Sequence, residues 1–214
     1  MNQELPNGIQ AVTFDNPVWG VLYDQATEKL IFDCRNEKSK QIHIAEFDPH
    51  SQQSRWLDTK MIWREKLEAA FEGKLYSIQY EEENDPSKFK LMCTDQDSGD
   101  AEQIGAMPEI PDCFMEPSFY DLDSENNKIV AEFLGITPVL PSEYLEIQDN
   151  IIISYYLRSE IGFDRFLLLL RDGRKQWKVN QDHQMKGFAS GAFFVVDNML
   201  VFVRDRHEVC ISFF

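Results

Sequence analysis

Along most of the chain, apolar and polar residues alternate in short runs instead of recurring at helical spacing. Phe89, Leu91 and Cys93 alternate with Lys88, Lys90 and Met92. Ile42 and Ile44 flank His43, and Val209, Ile211 and Phe213 alternate with Glu208, Cys210 and Ser212. A period of two predicts strands with one face in a core and one in water. Residues 151–157 and 166–170 are apolar without alternation, which predicts strands covered on both faces. Residues 58–73 carry two signals. Trp63, Leu67, Ala70 and Phe71 fall at i, i+4, i+7 and i+8 after a capping Asp58 or Thr59, a helical pattern that Gly73 would stop. The spacing of neighbouring turns instead asks for a strand over 67–71 with Glu72-Gly73 as its turn, and a strand is the expectation.

The turns organise the rest. Asp172-Gly173 separates two apolar runs, and Asp-Gly suits the two left-handed positions of a tight hairpin turn. Asp149-Asn150 and Asp197-Asn198 are similar devices, because Asn and Asp tolerate that region. Asn126-Asn127 and Glu72-Gly73 are lesser members of the set. Aligned on these turns, the chain reads as repeated strand–turn–strand–loop–strand–turn–strand units. The copies cover about 19–56, 67–104, an irregular 117–133, 144–179 and a truncated 187–214. A period of roughly 40–50 residues with four strands per copy is that of propeller blades. The expected fold is all-β: a small or incomplete β-propeller of about four to five antiparallel four-stranded blades. It forms a single domain over 1–214, with an irregular insertion at 105–143, where five of the nine prolines lie between 105 and 141.

Two Asp turns add detail. Asp48-Pro-His-Ser51 leads to Trp56, and Asp95-Gln-Asp-Ser98-Gly99 leads to Gln103. Both resemble the Asp-x-x-Thr-Gly-Lys-x-x-Trp blade turn of quinoprotein-type β-propellers, and Asp172-Gly173 to Trp177 looks like a shortened version. The resemblance implies a packing role for Asp48, Trp56, Asp95, Gly99, Asp172, Gly173 and Trp177. Quinoproteins are eight-bladed, longer than this chain, and this sequence has no vicinal cysteines, so no quinone or dehydrogenase activity is implied. Trp19, Trp63, Tyr80, Asp85-Pro86 and Lys186-Gly187-Phe188 together resemble an uncharacterised bacterial family with propeller-like repeats, a domain of unknown function. That likeness implies the fold and no activity.

Charge narrows the partners. The formal net charge is −16, and a nucleic-acid binder needs clustered cations to meet phosphates. Hydrophobic residues at 43% and aromatics at 13% exclude a disordered acidic chain. The opening residues show no basic and apolar leader pattern, no apolar run approaches the ~20 residues of a membrane span, and four scattered cysteines fit buried thiols. The expected compartment is the cytoplasm.

Candidate chemistry is sparse. Asp121, Asp123, Glu125 and Glu132 occupy positions 1, 3, 5 and 12 of a twelve-residue frame, a spacing that suits calcium. Asn126 replaces the glycine such a loop needs, so a solvated acidic turn is the main expectation and calcium the alternative. Asp95, Asp97, Asp100 and Glu102 form a similar acidic loop whose glycine stands out of register. Glu81 to Asp85 reads as a solvated loop. The four histidines show no ligand spacing, and nucleophile-elbow, P-loop and dinucleotide motifs are absent. No catalytic residue is assigned and no cofactor expected. The favoured reading is a non-enzymatic scaffold whose loops bind a basic or neutral protein or peptide. The alternative is a small-ligand binder or hydrolase-like enzyme with its site in the central funnel of the blades. Phe213-Phe214 also fits a terminus buried in an assembly.

Overall fold

The structure is a computed structural model that describes residues 4–82 and 85–214. The start of the opening segment read for a leader, and the centre of the acidic run 81–85, lie outside the described residues. The first strand is β1 (Ile9–Thr13). Then β2 (Val18–Asp24), β3 (Lys29–Asn36), β4 (Gln41–Asp48) and β5 (Gln53–Trp56) form the first sheet. The second sheet follows as β6 (Glu65–Phe71), β7 (Lys74–Glu82), β8 (Asp85–Asp95) and β9 (Ala101–Ile104). After them come β10 (Phe114–Met115), β11 (Ser118–Tyr120) and the helix α1 (Glu125–Leu134). The chain ends with β12 (Ser142–Ile147), β13 (Asn150–Ser159), β14 (Gly162–Arg171), β15 (Arg174–Met185), β16 (Phe193–Val196), β17 (Met199–Arg204) and β18 (Glu208–Phe213).

The fold is therefore all-β in antiparallel blade-like sheets, as the turn spacing predicts. Among the described residues four sheets form, and each of the first two runs in simple sequence order. The third has the order β11-β12-β13-β14-β15. The fourth has the order β1-β18-β17-β16-β10, so the truncated last copy takes a further strand from the beginning of the chain, with Ile9 opposite Ser212. The chain divides into two compact units. One is Phe14–Cys113 with the first two sheets; the other joins the segment through Thr13 to Phe114–Phe214 with the last two.

Local chemistry explains the elements. Asp172 and Gly173 both have positive φ, 51° and 69°, in the tight turn between β14 and β15. Glu72 and Gly73, at 52° and 73°, do the same between β6 and β7, so residues 65–71 are strand and not helix. Two sequence expectations need correction. The turn after β12 is centred on Gln148-Asp149, with Gln148 left-handed, and Asn150 already pairs with Ile147. The supposed turn at Asn126-Asn127 is instead in α1, so the expected blade copy at 117–133 is the short strand β11, an edge of the third sheet, followed by this helix. The Ser124 side chain caps it by accepting from the Asn127 N–H, Gly135 ends it at φ 65°, and Val130 is fully buried beneath it.

The cores follow the pattern. In the Phe14–Cys113 unit, Ile31, Ile42, Ile44, Leu67 and Leu75 pack together. In the other unit, Ile152, Leu167 and Leu169 join Trp177, Leu200 and Phe202 on one side of β13 and β14. Ile153, Tyr155, Leu168 and Leu170 bury the opposite side against Val130 of α1. This is why residues 151–157 and 166–170 do not alternate: both faces are dry, each large side chain contributing about 1.5–3 kcal/mol. Cys34, Cys93 and Cys210 are buried. Burial pushes the thiols of Cys34 and Cys210 up to about 12, which keeps them protonated and unreactive. Among the described residues no helix is long and apolar enough to cross a membrane.

Candidate functional site

A cleft of about 480 Å³ opens in the Phe14–Cys113 unit between β2, β3 and the start of β6. Its most unusual wall is Trp19. Val18 pairs with Cys34 and Gly20 with Asp33, so Trp19 is an extra residue in β2 without a register partner. Such a bulge breaks the alternation and re-aims a side chain. The indole is 53% exposed, whereas neighbouring Val18 is buried. Facing it is Trp63, from the segment leading into β6, with ring centroids 5.7 Å apart at 69°. Tyr80 of β7 completes the aromatic lining.

The floor is charged and dry. Asp33 and Arg35 are two residues apart on β3, hence on one face, and both are buried. Arg35 Nε lies 2.9 and 3.0 Å from the two Asp33 oxygens, and Nη2 donates to Oδ2 at 2.6 Å. The same guanidinium donates to the backbone carbonyls of Glu65 at 2.8 Å and Trp63 at 3.4 Å. Its carbon sits 5.2 Å from the Trp19 ring and 5.8 Å from that of Trp63, so one cation orders both indoles. Glu65, also buried, accepts from the Ser77 hydroxyl, from Gln79 at 3.4 Å and from the Ile62 N–H at 3.3 Å. The two floor carboxylates are thus already satisfied, and the cleft presents aromatic edges with Arg64 and Lys66 exposed at its rim.

The residues singled out by sequence lie elsewhere. Asp48 accepts the N–H groups of His50 and Ser51 at 2.8 and 3.1 Å, and its carbonyl accepts from Gln52. Asp95 does the same with Asp97 and Ser98 at 3.1 and 2.8 Å, its carbonyl accepting from Gly99. One turn is therefore built twice. The hydrogen bonds from Ser51 and Ser98 hold the carboxyls of Asp48 and Asp95 below the usual range. Gly99 has φ 72°, and a Cβ there would lie 2.1 Å from the Asp58 carbonyl oxygen. Trp56 is 57% exposed, edge-on to Phe14 and His43, whereas Trp177 is buried against Phe202.

The acidic frame does not converge. Asp121 and Asp123 precede α1, and Glu125 and Glu132 stand seven residues apart on it. Two helical turns separate them by about 10 Å along the axis, too far for one cation whose oxygens lie at about 2.3–2.6 Å. Glu125 instead pairs with Lys128. In the other acidic loop Asp97 pairs with Arg55 at 2.7 Å. Among the described residues, no group of three or more His, Cys, Asp or Glu side chains is placed to hold a metal.

Four buried anchors, Asp24, Glu143, Arg165 and Tyr156, have no signature in the sequence. Asp24, at the end of β2, accepts from Ala26 at 3.1 Å, Glu72 at 3.0 Å and Gly73 at 2.8 Å, tying the first sheet to the β6–β7 turn of the second. In the other unit, Glu143 accepts from the N–H groups of Gly191 and Ala192 at 2.6 and 3.1 Å. Arg165, held by Asp182 of the neighbouring strand, donates to the Ala189 carbonyl at 3.3 Å, and the Tyr156 hydroxyl both donates to that carbonyl and accepts from the Ala189 N–H. These fasten the loop before β16 to the third sheet. The partners of Asp24 and Glu143 lie up to 49 residues away, so no local pattern reveals them. The aromatic cleft was half visible: Trp19, Trp63 and Tyr80 were marked, but Arg35 was not.

No family model matches the chain, and no curated protein matches it. The resemblances to quinoprotein blades and to the bacterial family therefore gain no support from those comparisons. Among solved structures, the chain aligns with the β-propeller domain of the Trilobed protease from Pyrococcus furiosus. The identity is 13% and the TM-score 0.28, covering 94% of this chain and 62% of that one. At that TM-score the alignment carries no argument about fold or function, and the fold rests on the four sheets themselves.

Proposed function

We propose that the protein is a binding module and that the Trp19–Trp63–Tyr80 cleft receives a peptide segment of a protein partner. The segment lays an aromatic or long apolar side chain against the paired indoles, in the cleft that they line with Tyr80. The observation that carries this is the β-bulge that turns Trp19 outward, beside a cleft whose floor is fixed by the buried Asp33–Arg35 pair. Exposed Trp set beside a preformed cleft is the usual anchor pattern of recognition surfaces. Recognition suits the site better than catalysis because the carboxylates of Asp33 and Glu65 have their hydrogen-bonding capacity engaged, leaving neither poised as a general base.

The test is a peptide library screened by fluorescence anisotropy against the purified chain, followed by Trp19→Ala. Because Trp19 is half exposed, the variant should keep its circular dichroism spectrum and lose at least about tenfold in affinity for the selected peptides. Peptides that bind Trp19→Ala and Trp63→Ala as tightly as the parent would overturn the proposal, as would a library without binders.

A further inference from the structure

The second surface of interest is α1. Val130 at its centre is fully buried, and Leu134, one turn on, packs on the same cluster. Ile129 and Phe133, also one turn apart, lie about 100° round the helix from that stripe and are 50% and 48% exposed. At i and i+4 they form a single ridge on the outer face. The apolar surface continues at both ends of the helix with Leu122 before the Ser124 cap and Ile136 after Gly135, both exposed. A short helix with one buried apolar stripe has no folding reason to carry a second one in water.

Charge identifies what covers it. Between residues 116 and 136 there are five carboxylates and a single cation, Lys128. Glu116, Asp121, Asp123, Glu125 and Glu132 are all exposed, and Lys128 is occupied by Glu125. A second copy of this chain would set carboxylates against carboxylates, on a molecule already at −16. An anionic lipid surface meets the same repulsion. A segment with an apolar stripe and lysines or arginines beside it satisfies both the ridge and its rim. The ridge of Ile129 and Phe133 suits the groove of another helix, where i, i+4 rows interdigitate. We infer that the outer face of α1 is a docking site for a basic amphipathic helix of a protein partner, independent of the tryptophan cleft.

The probe is a synthetic amphipathic helix of leucine and lysine, fluorescein-labelled, with a leucine and glutamate helix as control. Binding is measured by anisotropy to the full chain and to Phe133→Ser, whose thermal midpoint is checked against the parent. The expected result is binding of the lysine helix alone, weakened about tenfold or more in Phe133→Ser. In Glu125→Gln/Glu132→Gln the dependence on salt should also become shallower. Equal affinity for the parent and Phe133→Ser would mean that the peptide merely follows net charge, and would overturn the inference. So would equal binding of the glutamate helix, parent self-association abolished by Phe133→Ser in sedimentation velocity, or cosedimentation of the parent with phosphatidylserine vesicles.

Discussion

Gly73 donates its backbone N–H to Asp24 at 2.8 Å across forty-nine residues of sequence, and Glu72 donates to the other oxygen of the same carboxylate at 3.0 Å. One fully buried acid at the end of β2 thereby fixes the turn that starts β7. Replacing Asp24 by Ala would take the acceptor from both turn N–H groups and from that of Ala26. The expected loss is about 3 kcal/mol in urea unfolding. Asp24→Asn keeps one acceptor oxygen and should lose less. Equal stability of Asp24→Ala and the parent would show that the turn forms without this anchor.

Arg35 is expected to behave as half of a unit. Arg35→Met leaves Asp33 charged and buried, which costs about 3–5 kcal/mol. The double variant Asp33→Asn/Arg35→Met removes the orphaned charge and should recover part of that loss. A double-mutant cycle reads the coupling directly. Additive losses would contradict the pairing. Because both indoles rest on the guanidinium, Arg35→Met should also change the tryptophan emission of the folded state.

Gly99 and Gly73 share nearly the same backbone, with φ of 72° and 73°, but not the same surroundings. A Cβ at Gly73 meets nothing within 4 Å, whereas one at Gly99 collides with the Asp58 carbonyl. Gly73→Ala should therefore cost about 1 kcal/mol from conformation alone. Gly99→Ala should cost at least about 1 kcal/mol more, and the difference in urea midpoints measures the close approach.

Glu143 gives a pH prediction. Burial pushes its carboxyl above the ordinary value, against the opposing pull of the Gly191 and Ala192 N–H groups and Arg165. Its folded pKa is thus raised. Between the unfolded and folded values the native state holds the extra proton, so this group's contribution to stability falls as pH rises through the window above 4.5. Asp182, raised by burial, acts in the same direction. Asp48 and Asp95, whose carboxyls are lowered by turn hydrogen bonds, act in the opposite direction, losing stability as pH falls through their folded values. Glu143→Gln removes only the first effect. Relative to the parent, it should gain urea stability between pH about 5 and about 8; a gap constant across that range would refute the shift.

The sheets were legible in the sequence because hairpin information is local. Asp172-Gly173, Asp197-Asn198 and Glu72-Gly73 state their turns within two residues, and the Asp48 and Asp95 turns repeat each other in geometry as in sequence. The helix was missed because Asn126-Asn127 looked like a turn, although Ser124, Val130, Leu134 and Gly135 carried cap, stripe and stop. The cleft and the buried acids were not legible, for a physical reason. Arg35 has Asp33 beside it on the same strand, but its remaining partners, like those that tie down Asp24 and Glu143, come from other segments 28 to 49 residues away. Trp19 was noticed as a marker, but its outward turn depends on a bulge against β3 that appears only once the two strands are in register.

The pairing of β1 with β18 sets an order of events in the cell. A ribosome makes Ile9 about two hundred residues before Ser212, so at about 5–20 residues per second the first strand waits on the order of ten seconds for its neighbour. The contiguous stretch Phe14–Cys113 can complete its own sheets in that interval. Until β18 emerges, Ile9–Thr13 is an unmatched edge, and chaperone capture or misannealing between nascent chains would act on that strand first.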